Sequence, residues 1–377
     1  MKMKKTLVLL LTLAILVTCQ LAAALPASAV TIIGANTDWT FDILGGGGSY
    51  APYAVNINPD GEYCMRETSA TLRLYKTATN LGILNVYFTV QGSTYSGGTS
   101  VSTGPVITVQ GLDGQGNWSG NFSFSDAGEY FRYTVNCYGV DNSGNVYFWT
   151  KIINNEKTPP SIDGIFVASD GLRRVASNGE AIVNSNIRVS ANISDSNPYS
   201  TSSIRQVTMK LYNYGESQPI QQVTLPQSDN ANFWGSYEGS FNLLNFGNVE
   251  KKLTVKITAT DYSGNTKTVS QNFTYDRVSA GGTITYSNVS QNSVDFYFTA
   301  ANDASGIAYP IFYFWTEANG QDDLQSLYGQ QVSQNVWKAT LNKGQHGGQS
   351  GLYNIHVWTT DNIENTNYAA ATTYNMN

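Results

Sequence analysis

The chain has 377 residues, of which 41% are hydrophobic and only 13% are charged, and its formal net charge is −6. This composition is typical of folded domains and excludes an intrinsically disordered chain. An acidic chain without a cluster of Lys and Arg cannot neutralise many phosphates. We therefore expect it to bind neither nucleic acid nor, through charge, anionic wall polymers.

The first residues form a predicted export signal. Lysines within the first five residues precede an apolar run over residues 7–17, and small residues at 27–29 favour cleavage after Ala29. We predict a signal peptide at residues 1–29 and a secreted chain that begins at Val30. The apolar run is too short to cross a bilayer, and no later segment reaches about 20 apolar residues. No membrane span is predicted.

The sequence offers two other possible modes of surface attachment, lipidation and covalent anchoring to the wall. Cys19 follows Leu16, Val17 and Thr18 in a lipobox-like order, but Thr18 departs from the small residue expected directly before a lipidated cysteine. Lipidation at Cys19 is therefore the alternative to cleavage after Ala29. Residues 367–377 contain neither the sorting motif nor the apolar stretch and basic tail of covalently wall-anchored proteins. We expect free secretion or non-covalent retention at the cell surface.

An alternating strand followed by an Asp-centred turn occurs three times. The turns begin at Asp141, Asp261 and Asp361. Apolar residues stand six and four positions before each aspartate, and the residue between them is polar, which indicates a strand with one buried face. A tryptophan lies 23 to 27 residues upstream of each turn and follows an asparagine by one or two positions; the tryptophans are Trp118, Trp234 and Trp337. The repeat predicts three tandem immunoglobulin-like β-sandwiches.

Dense turn signals place the boundaries between these sandwiches. Pro159 and Pro160 end the first, because proline cannot donate to a strand ladder. Gly281 and Gly282 lead into the third. We predict an all-β chain with sandwiches at residues 30–155, 156–277 and 278–377.

Two cysteines follow the export signal, Cys64 and Cys137, and both lie in the first predicted sandwich. A disulfide between them is compatible with an extracellular location. Cys64, however, precedes the predicted second strand rather than lying within it, which disfavours the geometry of a bridge. Two separately buried thiols are the alternative.

The third sandwich contains an ordered series of residues with an uncommon spacing. It begins with Trp315, Glu317, Asn319, Gly320, Gln321, Asp322, Asp323 and Leu324, continues with Trp337, Asn342 and His346, and closes on Tyr353, Ile355, His356 and Val357. This series, from about Ser287 to Asp361, resembles the GBS Bsp-like repeat, a small all-β module of secreted and wall-associated Gram-positive proteins. The resemblance implies an extracellular module without an agreed catalytic chemistry.

The histidine content does not favour catalysis. His346 and His356 are the chain's histidines, and neither stands in a recognisable nucleophile turn. We predict two surface histidines, no catalytic residue, no metal site and no cofactor. A remote alternative is a glycan hydrolase in which Glu317 and either Asp322 or Asp323 act as acid and base.

The Asp-centred turns have two interpretations. Asp141, Asn145, Asp261 and Asn265 offer hard oxygen ligands of the kind found in weak extracellular calcium sites. Asp and Asn also favour turns by bonding their own backbone. The structural interpretation is preferred, because Gly144 and Gly264 supply the positive φ that such turns need. In the third sandwich Ile363 and Glu364 replace the Ser-Gly pair, which argues against a metal role shared by all three turns.

Aromatic residues provide the strongest functional hypothesis. The chain has 24 Tyr, 15 Phe and 7 Trp, more than three cores require. Tyr138 and Trp358 fall on the outward side of equivalent predicted strands, and exposed rings can stack on sugars. If Trp315 shares this face, a ligand-binding surface would contain Trp315, Asn319, Gln321, Asp322, His356 and Trp358. The alternative places Trp315 in the core.

The sequence as a whole predicts a non-catalytic, secreted or surface-associated binding protein. The expected partner is cell-wall glycan or another extracellular polymer. The alternative is a structural spacer or a protein-interaction module.

Overall fold

A computed structural model describes residues 34–45, 56–57, 61–66, 69–78, 81–93, 102–109, 111–124, 132–155, 157–195, 204–226 and 234–377. These residues form β-strands, turns and short 3-10 helices at Leu244–Phe246, Gly320–Asp323 and Lys343–His346. The predicted signal peptide and Cys19 lie outside the described residues. The predicted all-β fold class is confirmed. The chain divides into two compact units near Lys157.

The first unit contains one sandwich. Its described strands are β1 (Trp39–Gly45), β2 (Asn56–Ile57), β3 (Tyr63–Met65), β4 (Ser69–Lys76), β5 (Ile83–Ser93), β6 (Ser102–Val109), β7 (Trp118–Ser123), β8 (Arg132–Asp141) and β9 (Val146–Asn155). One sheet has the order β1-β4-β7 and the other β2-β3-β9-β8-β5-β6. Buried side chains from both sheets form its hydrophobic core.

The second unit begins with a sandwich of the same topology. Its strands are β10 (Ser161–Ser169), β11 (Arg173–Val175), β12 (Ala181–Val183), β13 (Ile187–Ser194), β14 (Ile204–Asn213), β15 (Pro219–Pro226), β16 (Trp234–Phe241), β17 (Glu250–Asp261) and β18 (Thr266–Asp276). The sheets have the orders β10-β13-β16 and β11-β12-β18-β17-β14-β15. This sandwich has a separate hydrophobic core.

The same unit ends with a third sandwich. Its strands are β19 (Gly282–Ser287), β20 (Ser293–Ala300), β21 (Ile307–Thr316), β22 (Gln325–Tyr328), β23 (Gln330–Ser333), β24 (Val336–Asn342), β25 (Gly351–Asp361) and β26 (Thr366–Met376). The sheets have the orders β19-β20-β24-β23 and β22-β21-β25-β26. Phe296 and Phe314 pack between them, with ring centroids 5.7 Å apart, in a third hydrophobic core.

The structure reproduces the sequence repeat. The strands before the three Asp-centred turns are β8, β17 and β25, and each lies inside its sheet. Ile355 and Val357 of β25 are fully buried, whereas His356 between them is only partly buried. Trp118 and Trp337 lie in the corresponding strands β7 and β24 and are buried, as the recurring tryptophan predicts.

Of the two alternatives for Cys64 and Cys137, the structure shows two separate buried thiols and no disulfide. The two residues lie in one sheet with β9 between their strands, where Cys64 is level with Asn154 and Cys137 with Trp149. Five strand residues span about 17 Å, whereas the Cα atoms of a disulfide lie within about 7 Å of each other. Both cysteines are buried, and neither takes part in a disulfide.

Tyr138 is less exposed than predicted. Its side chain points away from the main core of the first sandwich, as expected, but only 9% of the residue is exposed. The ring stacks against Tyr87 and Phe148, at centroid distances of 5.9 and 6.5 Å. Tyr138 therefore belongs to a small second apolar cluster and offers no open ring surface.

Candidate functional site

The outer surface of one sheet in the third sandwich carries several aromatic rings. In β21 and β25 alternate side chains enter the core, so the residues between them point outward. Strands β22 and β26 extend this surface on either side. We call the following set the aromatic face: Tyr309, Tyr313, Trp315, Tyr328, His356, Trp358 and Tyr368.

Direct contacts join four of these rings across three strands. The Trp315 and His356 rings meet edge to face, with centroids 4.6 Å apart. His356 contacts Tyr368 at 5.4 Å, and Tyr368 contacts Trp358 at 5.9 Å. Edge-to-face packing is a favoured aromatic geometry, so the rings hold each other in fixed orientations. The structure thus brings together Trp315, His356 and Trp358.

Several of these rings are too exposed to serve as core residues. The exposed fraction is 71% for Tyr328, 50% for Tyr368, 40% for Trp358 and 39% for Tyr309. A contiguous apolar patch on the surface of a folded domain commonly marks an interaction site. Trp315 is half-buried, because it packs against His356 while remaining on the outer side of β21.

His356 contributes a neutral polar ring to the aromatic face. Its partial burial beside Trp315 lowers its pKa, because desolvation disfavours the imidazolium. The ring is therefore uncharged at neutral pH. A neutral imidazole can both donate and accept hydrogen bonds.

A pair of polar side chains borders the row of rings. Asn354 is the register partner of Trp315, and its Nδ2 donates to Glu317 Oε2 at 2.7 Å. Sequence reasoning missed Asn354 as a site residue. Its position two residues before His356 was an available signal, since alternate strand residues share a face.

The predicted polar residues lie beyond the end of β21. Asn319, Gln321 and Asp322 are exposed in the connection between β21 and β22. The Asn319 Nδ2 donates to Gln349 Oε1 at 2.7 Å, which ties this connection to the loop before β25. These residues therefore occupy a loop next to the sheet, while the rings occupy the sheet itself.

His346 is buried, so its predicted surface position is wrong. Only 2% of the residue is exposed, and its ring packs edge to face on Tyr353 at 5.2 Å. His346 Nδ1 lies 3.3 Å from Asp323 Oδ2. The Thr316 hydroxyl donates to the same carboxylate oxygen at 2.7 Å, and the Thr316 N–H donates to Oδ1 at 3.0 Å. This cluster fixes the loops at one end of the sandwich.

The environment of Asp323 is unsuited to general-acid catalysis. Desolvation acts to raise the pKa of Asp323, but hydrogen bonds from Thr316 and the interaction with His346 outweigh it and lower the pKa overall. A catalytic acid in glycoside hydrolysis needs a raised pKa so that it is protonated near neutral pH. Glu317, the other proposed carboxylate, accepts a hydrogen bond from Asn354.

The aspartate carboxylates of the Asp-centred turns accept hydrogen bonds from residues of their own turns. Asp141 Oδ1 accepts the Asn145 backbone N–H, and Oδ2 accepts the Asn145 side chain, both at 2.9 Å. The turns at Asp261 and Asp361 contain the same pair of bonds. These contacts support the structural interpretation of Asp141, Asn145, Asp261 and Asn265.

A match to a known family covers the third sandwich. Residues 283–374 match the sequence model of the GBS Bsp-like repeat, which confirms the resemblance predicted for this part of the chain. No curated protein sequence matches the chain significantly. Among the described residues, no helix is long and apolar enough to cross a membrane.

Solved structures share only a distant similarity with the chain. An adhesin with which an Antarctic bacterium binds ice, described as Ca²⁺-stabilised, is 15% identical over 92% of this chain and 73% of its own, with a TM-score of 0.38. A 1.5-MDa bacterial ice-binding adhesin is 15% identical over 82% of this chain and 90% of that structure, with a TM-score of 0.36. A polysaccharide deacetylase from Bacillus cereus is 14% identical over 26% of this chain and 30% of its own, with a TM-score of 0.23. Similarities this low transfer neither ligand nor activity.

Proposed function

We propose that the chain is a non-catalytic extracellular binding protein whose third sandwich binds cell-wall glycan through the aromatic face. The observation that carries this proposal is the exposed row of rings across β21, β25 and β26. The predicted export signal and the match of residues 283–374 to the GBS Bsp-like repeat support an extracellular location. Together they make a wall polymer the most accessible ligand.

The chemistry of the aromatic face suits a sugar polymer. Sugar rings have apolar faces that stack on aromatic side chains, and hydroxyl groups that need hydrogen-bonding partners. Trp315 and Trp358 supply large rings, while His356 and Asn354 supply polar atoms on the same face. An apolar surface with a few placed polar groups is the usual composition of a ligand site.

Charge favours a neutral glycan over a phosphate-rich polymer. The acidic residues closest in sequence to Trp315 are Glu317, Asp322 and Asp323. Negative side chains repel polyanions, and binding of polyphosphates depends on Lys and Arg. The glycan strands of the wall are therefore a better match than its anionic polymers.

The proposal is tested by co-sedimentation of residues 30–377 with purified Gram-positive cell walls. The wild-type protein is expected to sediment with the walls, and a variant with Trp315→Ala and Trp358→Ala is expected to remain in solution. Tyr214→Ala is the matched control, because Tyr214 is 55% exposed but belongs to the second sandwich. Circular dichroism establishes that each variant is folded.

Repeating the co-sedimentation with walls stripped of anionic polymers distinguishes the glycan from the anionic polymers as the ligand. Retained binding supports the glycan as the ligand. Loss of binding on stripped walls, or equal binding by the double variant, contradicts the proposal.

A structural spacer is the second candidate, supported by the junction between the second and third sandwiches. Asn184 Nδ2 donates to the Ile363 carbonyl at 2.8 Å, and Asn365 Nδ2 donates to the Asp276 carbonyl at 3.0 Å. These bonds join the two sandwiches of one compact unit. A spacer predicts no wall binding by either the wild-type protein or the double variant.

A further inference from the structure

Carboxylates converge where the second sandwich meets the third. Glu250 begins β17 and Asp276 ends β18, and the two residues are directly paired in the antiparallel register. Asp303 lies in the connection between β20 and β21. One carboxylate oxygen of each residue lies within 4.8 Å of the corresponding oxygens of the other two. The group therefore combines side chains from both sandwiches.

The buried member of this group has an unsatisfied oxygen. Asp276 is 0% exposed. Its Oδ1 accepts the Val278 N–H at 3.2 Å, whereas its Oδ2 has no hydrogen-bond partner. A buried carboxylate oxygen without a partner is costly, and the approach of Glu250 and Asp303 adds repulsion between like charges. A cation held by the three carboxylates would remove both penalties.

The pKa of Asp276 reflects the same burial and the same repulsion between like charges. Burial raises the pKa of Asp276 to about 7, and repulsion from Asp303, Asp361 and Glu250 adds to the effect. Arg277 is the nearest positive residue in sequence, but its side chain is hydrogen-bonded to Tyr275.

The other two carboxylates are already oriented. Asp303 Oδ1 accepts the backbone N–H groups of Ser305 at 3.0 Å and Gly306 at 2.8 Å. Glu250 Oε2 accepts the Ala304 N–H at 2.9 Å. Backbone amides thus hold each carboxylate through one oxygen. Fixed ligands of this kind lower the cost of assembling a metal site.

We propose that Glu250, Asp276 and Asp303 bind a calcium ion that joins the second and third sandwiches. This assignment replaces the sequence-based expectation that the chain has no metal site. All three ligands are hard carboxylate oxygens, which suit Ca²⁺, whereas zinc sites use His and Cys. Mg²⁺ requires a stricter octahedral geometry and gives up its water reluctantly.

The consequence of binding is a stiffer junction. Because the ligands come from both sandwiches, the ion binds most tightly when β17, β18 and the connection after β20 keep their observed arrangement. Calcium therefore stabilises the second unit as a whole by mass action.

Calorimetric titration of residues 30–377 with CaCl₂, after treatment with EDTA and dialysis, tests the site. We expect a dissociation constant of about 10⁻⁴ to 10⁻³ M, the range of extracellular calcium modules. Asp303→Asn should weaken binding about tenfold or more. The control Glu216→Gln removes an exposed acidic residue of the second sandwich and should leave calcium binding unchanged.

Thermal unfolding provides a second readout. At ten times the dissociation constant, calcium should raise the melting temperature of the second unit by about 3–6 °C. Asp276→Asn should raise the melting temperature in EDTA, because it removes an unpaired buried charge, and should abolish most of the calcium response.

Three outcomes would overturn the proposal. They are no binding at 10 mM CaCl₂, equal affinity in wild type and Asp303→Asn, and an equal response to MgCl₂.

Discussion

Glu364 has a left-handed backbone conformation, and glycine occupies the equivalent position in the other two Asp-centred turns. Its φ is 65°, compared with 78° for Gly144 and 85° for Gly264 at the fourth position of the other two Asp-centred turns. A residue with a Cβ atom in the left-handed region costs about 1–2 kcal/mol. Replacing Glu364 with glycine removes this cost, but glycine destabilises the folded state by about 0.5–1 kcal/mol through its greater freedom in the unfolded chain. Glu364→Gly should therefore increase the free energy of unfolding by about 0.5–1 kcal/mol.

Thermal unfolding of residues 30–377 measures this change. For a unit of this size the expected rise in melting temperature is about 1–4 °C. Glu364→Ala is the matched control, since it removes the carboxylate but keeps the Cβ atom, and it should not stabilise the protein. Gly144→Glu should have the opposite effect on the first sandwich, where no atom lies within 4 Å of the added Cβ. Equal stabilisation by Glu364→Ala would show that charge, rather than backbone conformation, is responsible.

Three further predictions test the fold. Trp337→Ala should lower the free energy of unfolding, measured in urea, by about 3–5 kcal/mol, because Trp337 is buried in the core. Trp358→Ala should lower it by less than about 1 kcal/mol, because Trp358 is exposed. Similar losses for the two variants would contradict the assigned exposures. Cys64 and Cys137 should react with a thiol reagent only after unfolding, and a reductant should leave the melting temperature unchanged; a reductant-sensitive melting temperature would indicate a disulfide. The pKa of Asp323 is lowered in the folded state, so its contribution to stability is present at neutral pH and lost as pH falls through its folded pKa. Asp323→Asn should therefore show a smaller loss of stability between pH 7 and acid than the wild type, and an equal loss would refute the assigned hydrogen bonds.

Local periodicity predicted much of the fold because strand alternation is a property of consecutive residues. Ile355 and Val357 enter the core while His356 points outward, as their spacing indicates. The same rule placed Trp358 on the outer face. Whether Trp315 shared that face depended on the pairing of β21 with β25, which the sequence left open.

Loops and junctions were less predictable because their contacts join residues that are distant in sequence. His346 stands among glycines and resembles a surface loop residue, yet Asp323 and Tyr353 enclose it. Asp276 ends β18 and Asp303 follows β20, and only the meeting of two sandwiches brings their carboxylates together. Burial of Tyr138 likewise depends on neighbouring strands, which supply Tyr87 and Phe148.

The central claim is that Trp315 and Trp358 contact a glycan. Titration of residues 30–377 with soluble glycan strands released from purified walls, followed by tryptophan fluorescence, tests this contact directly. We expect a saturable change in the wild-type protein, and no change in the folded variant with Trp315→Ala and Trp358→Ala. No response at millimolar glycan, or the same response from both proteins, would contradict binding through the aromatic face.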